Sequence, residues 1–176
     1  MAFRLNDMVA NFWQSSSQGP LNLYNFARGD WVVFFAYPKD FSAVATAEIA
    51  AAARLVPDLR QRGARLLGLS VDTAESHREW LKELEARHAL RIDFPLVADS
   101  DRSVAQLYGM LDPRDPDRRT SSWTLIISPN KQLRLAQSSS AAMPRDFAEI
   151  VRALDGLRPA RRNSKAALRA EECGAV

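Results

Sequence analysis

The sequence predicts an α/β fold with a central mixed sheet flanked by helices, and three observations carry that prediction. The continuous apolar run Trp31-Val-Val-Phe-Phe-Ala36 suits a strand buried on both faces. Segments of helical periodicity alternate with apolar runs of this kind along the chain. A hairpin signal at Pro129-Asn130-Lys131 precedes a last amphipathic segment, which adds antiparallel strands to an alternating pattern.

Each element follows from local chemistry. Residues 3–24 are turn-rich, with short apolar pieces at Phe12-Trp13 and Leu21 to Leu23. The strand from Trp31 to Tyr37 ends at Pro38, and Asp40 or Ser42 can cap the alanine-rich helix that runs to about Gln61. Val44, Ala51, Leu55 and Leu59 fall on one side of that helix and are expected to face the sheet. Gly63 stops it, and Ala64 to Ser70 reads as the next strand. The spacing of Asp72 and Glu75 opens a helix that carries His77, Trp80, Leu81, Leu84 and His88. Phe94 to Ala98 is a short strand, followed by a small helix with Val104, Leu107 and Tyr108. Residues 112–119 form a charged loop. Trp123 to Ile127 and Leu133 to Ala136 make the hairpin, and Pro144 opens a final helix with Phe147, Ile150, Val151, Leu154 and Leu157 on one face.

The bulk numbers fit this reading. The chain has 176 residues, 47% apolar and 26% charged, with a net charge of +3, an ordinary mixture for one buried core. Residues 1–157 are expected to form one domain. Residues 158–176 are expected to be a basic tail, with Arg158, Arg161, Arg162, Lys165 and Arg169, solvated rather than bound to nucleic acid. The start of the chain lacks a basic segment followed by an apolar region, and no apolar stretch is long enough to span a membrane. One cysteine, Cys173, leaves no intrachain disulfide. These features predict a cytoplasmic protein.

The element order is compatible with a thioredoxin-like core carrying additions, and periodicity alone leaves other three-layer α/β folds open. Motifs narrow the choice. Leu5 to Phe12, Gly29 to Phe35, and Tyr37-Pro-Lys-Asp-Phe-Ser-Ala-Val-Ala-Thr-Ala-Glu48 occur in order. So do Leu69 to Asp72 with His77 and Trp80, Phe94 to Asp99, Leu107 to Pro113, Ile126 to Pro129, and Arg145 to Asp155. Taken together, these segments resemble the peroxiredoxin family, the alkyl hydroperoxide reductase and thiol-specific antioxidant proteins, and most of all its one-cysteine branch.

The resemblance implies a thioredoxin-like fold with peroxiredoxin-type N-terminal additions. It also implies a reaction: a cysteine thiolate at the first turn of a helix attacks a hydroperoxide and becomes a sulfenic acid. A Thr or Ser hydroxyl orients the peroxide, and a strand arginine supports the developing charge. Pro38, Ser42 and Glu48 fall on matching positions, and Arg145 matches the arginine before the last helix. Ala45 falls on the peroxidatic cysteine, Ser122 on the strand arginine, and Ala43 on the pocket proline. Alanine has no lone pair with which to attack. Because several pocket positions differ together, a naturally degenerate site accounts for the pattern better than a single substitution.

The remaining candidates read as structure. Cys173 lies between Glu172 and Gly174 in a segment with no evident pocket, and acidic neighbours disfavour its thiolate. His77 and His88 are too far apart to ligate one metal, and His77 suits packing or hydrogen bonding. Ser42 has no adjacent base and serves as a cap. Trp13, Trp31, Trp80 and Trp123 are expected in the core or in a dimer interface. No metal and no cofactor are implied.

The expectation is a homodimeric binding or assembly module, with active peroxiredoxins as further partners and hydroperoxide as a substrate only if activity persists. The alternative is a thiol-dependent peroxidase, working through Cys173 or existing here as a Cys-to-Ala form of an active enzyme.

Overall fold

The computed structural model describes residues 4–140 and 142–158. Two short strands, β1 (Trp13–Gln14) and β2 (Leu21–Asn22), pair antiparallel and lead into helix α1 (Leu23–Ala27). The chain continues through β3 (Trp31–Ala36), α2 (Ala43–Gln61), β4 (Ala64–Ser70), α3 (Ala74–His88), β5 (Leu96–Ala98) and α4 (Ser103–Leu107). It closes with β6 (Ser122–Ile127), β7 (Leu133–Ser139) and α5 (Phe147–Leu157). The main sheet has the order β5-β4-β3-β6-β7. β3, β4 and β5 are parallel, and β6 and β7 are added antiparallel. This is the predicted mixed sheet, with β3 at its centre.

Every residue of β3 is buried, as its unbroken apolar run requires. Val33, Phe35 and Tyr37 face a core completed by α2, Trp80 and Leu84 of α3, and Phe147, Ile150 and Leu154 of α5. Val32, Phe34 and Ala36 face a second core of Phe12, Leu21, Leu23, Val104, Tyr108 and Met110. The alternation of a strand thus supplies both layers. Gly68 on β4 is required by close approach, because a Cβ there would lie 2.5 Å from Leu96 Cδ2 and 3.1 Å from Phe35.

Several sequence expectations need correction. The buried stripe of α2 is Ala45, Ile49, Ala52, Val56 and Leu59. Val44, Ala51 and Leu55 flank it, because a run of alanines carries little phase information. Asp72 does not cap α3. Thr73 does, accepting from the Ser76 N–H at 3.2 Å, while Asp72 accepts from Asp40 N–H and Ser70 Oγ. Pro144 precedes α5 without opening it, and Asp146 is the cap. β7 runs three residues beyond Ala136, and α1 begins in the last two residues of the stretch expected to be turn-rich and continues past it. Of the tryptophans expected in the core or in a dimer interface, Trp31 and Trp80 are buried in the core and Trp13 is 70% exposed, outside both cores. The tail expected over 158–176 lies, beyond Arg158, outside the described residues.

Candidate active site

The site is built where β3 ends. Ala36 and Tyr37 are fully buried, Pro38 turns the chain, and Ser42 caps α2. The Ala45 N–H donates to Ser42 Oγ at 3.2 Å, and the Ser42 hydroxyl donates to Lys39 O at 3.1 Å. Asp40, the other cap candidate, is turned inward. The approach to the cap contains Phe41 at φ +58°, a conformation that bulky residues adopt only when their surroundings enforce it. Its ring lies 6.0 Å from Trp80. Ala45 then sits at the first turn of α2, 1% exposed.

Two buried acid–base pairs flank this turn. In the first, His77 Nδ1 lies 2.8 Å from Asp40 Oδ2, and both side chains are essentially enclosed. His77 Nε2 faces Val97 O at 3.1 Å. A carbonyl only accepts, so Nε2 carries a hydrogen and a further proton lies between Nδ1 and Asp40. Ser76 Oγ donates to Asp40 Oδ2 at 2.7 Å and Tyr37 Oη to Oδ1 at 2.9 Å. Burial, followed by the nearby Asp40 charge, holds the Tyr37 phenol well above its ordinary value.

In the second pair, Arg145 Nε and its own backbone N–H both donate to Glu48 Oε1 at 2.9 Å. Its other donors reach Trp123 O, Thr124 Oγ1 and Ala36 O, and the guanidinium stacks over Phe35 at 4.9 Å. Burial pulls Arg145 below its ordinary value, and Glu48 opposes that pull. Glu48 and Arg145 are 97 residues apart in sequence, so this pair ties the start of α2 to the segment that precedes α5.

Between the start of α2 and the loop of residues 112–121 lies a pocket of about 320 Å³. Pro38, Ser42, Ala43, Ala45 and Glu48, all singled out from sequence, line it. Arg145 stands behind Glu48. Ser122 does not line the pocket. It is buried at the start of β6, two residues before Thr124 and so on the same sheet face. Cys173 lies outside the described residues.

The lining also includes Lys39, Asp112, Asp115, Arg119, Thr120 and Ser121, which sequence reading missed as site residues. Residues 112–119 read as a solvated loop because charge and proline dominate them. The Leu111↔Thr120 bridge and the bond from Thr120 Oγ1 to Tyr37 O fasten the loop's end beside the site. Only the proximity of Thr120 and Ser121 to the hairpin strand could have signalled this.

The chemistry open to these groups is limited. None of the residues lining the pocket is a cysteine or a histidine. The Ser42 hydroxyl is engaged with backbone, and His77 is enclosed by Asp40 and Val97. Among the described residues no group of three His, Cys, Asp or Glu side chains could hold a metal, and no helix is long and apolar enough to cross a membrane.

Comparison with known proteins agrees with this architecture. The profile of the AhpC/TSA family matches residues 5–136. A 1-Cys peroxiredoxin of Dictyostelium discoideum is 40% identical over 152 residues, covering 86% of this chain and 63% of that protein. Peroxiredoxin-6 of Rattus norvegicus is 34% identical over 161 residues, covering 87% and 72%. The crystal structure of a cysteine-to-serine mutant of peroxiredoxin 6 from Arenicola marina superposes with a TM-score of 0.84 at 31% identity, covering 89% of this chain and 74% of that one. The fold is therefore thioredoxin-like, as the element order allowed. The chain spans less than two thirds of the length of the Dictyostelium relative.

Proposed function

The chain belongs to the AhpC/TSA family, and we propose that it is a peroxiredoxin-like protein that no longer reduces hydroperoxides and acts as a dimeric binding or assembly module. The observation that carries this reading is Ala45. It occupies the first turn of α2, where backbone N–H groups and the helix dipole would favour a thiolate, and it offers a methyl group. Ser122, carried over to the strand arginine's position, points the same way, since a serine supplies no positive charge to a leaving oxygen. The frame around the gap remains ordered: Ser42 still caps the helix, and Glu48 still pairs with Arg145.

Hydrogen peroxide consumption in the presence of a thiol reductant tests the reading. The expected rate equals that of buffer with reductant alone. Turnover clearly above that background overturns the proposal, and repeating the assay with Cys173→Ser then tells whether the one cysteine is responsible. Size-exclusion chromatography with light scattering checks the dimer, for which a monomer at micromolar concentration is the contrary result.

A further inference from the structure

The two acid–base pairs beside Ala45 are not equally complete. Glu48 is 2% exposed, and both bonds that it accepts end on Oε1. Its Oε2 accepts none among the described residues. Ser139 Oγ is the one enclosed side-chain polar atom among the described residues that lacks a partner. Glu48 Oε2 therefore keeps a small exposure, and its residue lines the pocket. A carboxylate oxygen held almost entirely out of water, with acceptor capacity left over, calls for a hydrogen-bond donor in that space.

The opposite need stands at the same pocket. The Ala45 and Thr46 N–H groups are taken by Ser42. Those of Ala43 and Val44, at the positive end of a 19-residue helix, have no acceptor among the described residues. Lys39 lines the pocket and forms no ion pair among those residues, whereas Arg119 is already bound to Asp115 and Asp117. The free groups thus comprise donors and a cation at the mouth of α2 and two acceptors, with Pro38, Val44 and Ala45 as apolar wall. The inner acceptor is Glu48 Oε2, and the outer one is Asp112, which accepts only from Arg114 N–H and forms no ion pair among the described residues. A purely anionic ligand would leave Glu48 unmatched, and a purely cationic one would leave Lys39 and the helix start unmatched.

We propose that this pocket binds a small zwitterion, an α-amino acid with an apolar side chain, its carboxylate on Lys39 and the Ala43 and Val44 N–H groups and its ammonium on Glu48 Oε2. The volume of about 320 Å³ lies at the lower end of the usual range for ligand sites and leaves room for a free amino acid with its side chain. The assignment rests on the reading of a site without a thiol and gives that site a ligand class.

Calorimetric titration of the full chain with L-valine, L-valinamide and N-acetyl-L-valine tests it. L-valine is expected to bind, and each blocked form to bind about tenfold more weakly or not at all. Lys39→Ala is expected to weaken L-valine several-fold and to leave L-valinamide unchanged. Lys39 is exposed, so this variant keeps the fold, and the result does not depend on whether Glu48→Gln folds. No heat at about 10 mM L-valine, or equal binding of all three compounds, overturns the proposal. A peroxide assay on the same preparation separates the two readings. Peroxide inertness without valine binding removes the ligand alone, while turnover with valine binding removes the inactive-site reading alone.

Discussion

Asp40–His77 and Glu48–Arg145 are both buried acid–base pairs within a few residues of Ala45, yet they are finished differently. Asp40 receives His77, Ser76 and Tyr37, and His77 uses both ring nitrogens. Nothing in that cluster opens on the pocket, so it acts as a clamp that holds the 37–42 turn against α3 and β5. Arg145 is equally well satisfied, but its partner Glu48 keeps one oxygen free at the pocket. The difference separates scaffold from site. A polar network with every member paired serves rigidity, and one with a single exposed vacancy serves recognition.

Removing one partner from each pair is the strongest way to test that distinction. Arg145→Met leaves the Glu48 carboxylate without its cation and strips donors from Ala36 O, Trp123 O and Thr124 Oγ1. A loss of about 3–5 kcal/mol is expected in denaturant unfolding. Asp40→Ala should cost less, about 2–3 kcal/mol, because His77 keeps its bond to Val97 O, whereas Arg145→Met strands a buried carboxylate and three further acceptors at once. Equal losses in the two variants would erase the proposed asymmetry.

The clamp and the pocket were also unequally legible in the sequence. Trp31 to Ala36 revealed the central strand because burial on both faces leaves an unbroken apolar run, and Ser42 revealed the cap because capping is a local interaction. The phase of α2 was lost among alanines at 43, 45, 47 and 50–53, where neither face is distinctly apolar. Asp40 looked like a cap because its partner His77 lies 37 residues away. Lys39 and Arg119 carried no periodic signal at all. Glu48 and Arg145 were singled out by family resemblance, but their pairing belongs to the tertiary structure.

A second test acts on the clamp through pH. The Tyr37 phenol is held well above its ordinary value, mainly by burial and then by Asp40, and burial raises Tyr108 as well. A raised folded-state value means that the folded protein keeps a proton which the unfolded chain releases above about pH 10. Stability from these groups is therefore intact below pH 10 and falls as pH rises toward the folded-state value, by up to about 1.4 kcal/mol per pH unit for each phenol. Tyr37→Phe should lower stability at neutral pH by about 1 kcal/mol and flatten the alkaline decline, as read from unfolding midpoints between pH 9 and pH 11 (a range of about two units). An unchanged alkaline slope would mean that Tyr37 ionises freely in the folded protein.

The smallest expected effect lies at the cap that joins the two regions. Ser42 Oγ accepts from Ala45 N–H and its hydrogen goes to Lys39 O, so Ser42→Ala removes one bond on the helix and one on the turn. The cost should be about 1 kcal/mol, measured as a lowered thermal midpoint. The second consequence separates cap from ligand site. Ser42→Ala frees a third N–H, that of Ala45, at the start of α2 and leaves the Glu48 carboxylate and the Lys39 side chain in place. If the pocket recognises a carboxylate there, L-valine should bind the variant about as well as it binds the native chain, and the lost stability should be recovered as ligand is added. A binding loss far beyond the stability loss would instead make the Ser42 hydroxyl itself a contact, and the donors at the pocket would then have to be reassigned from backbone to side chain.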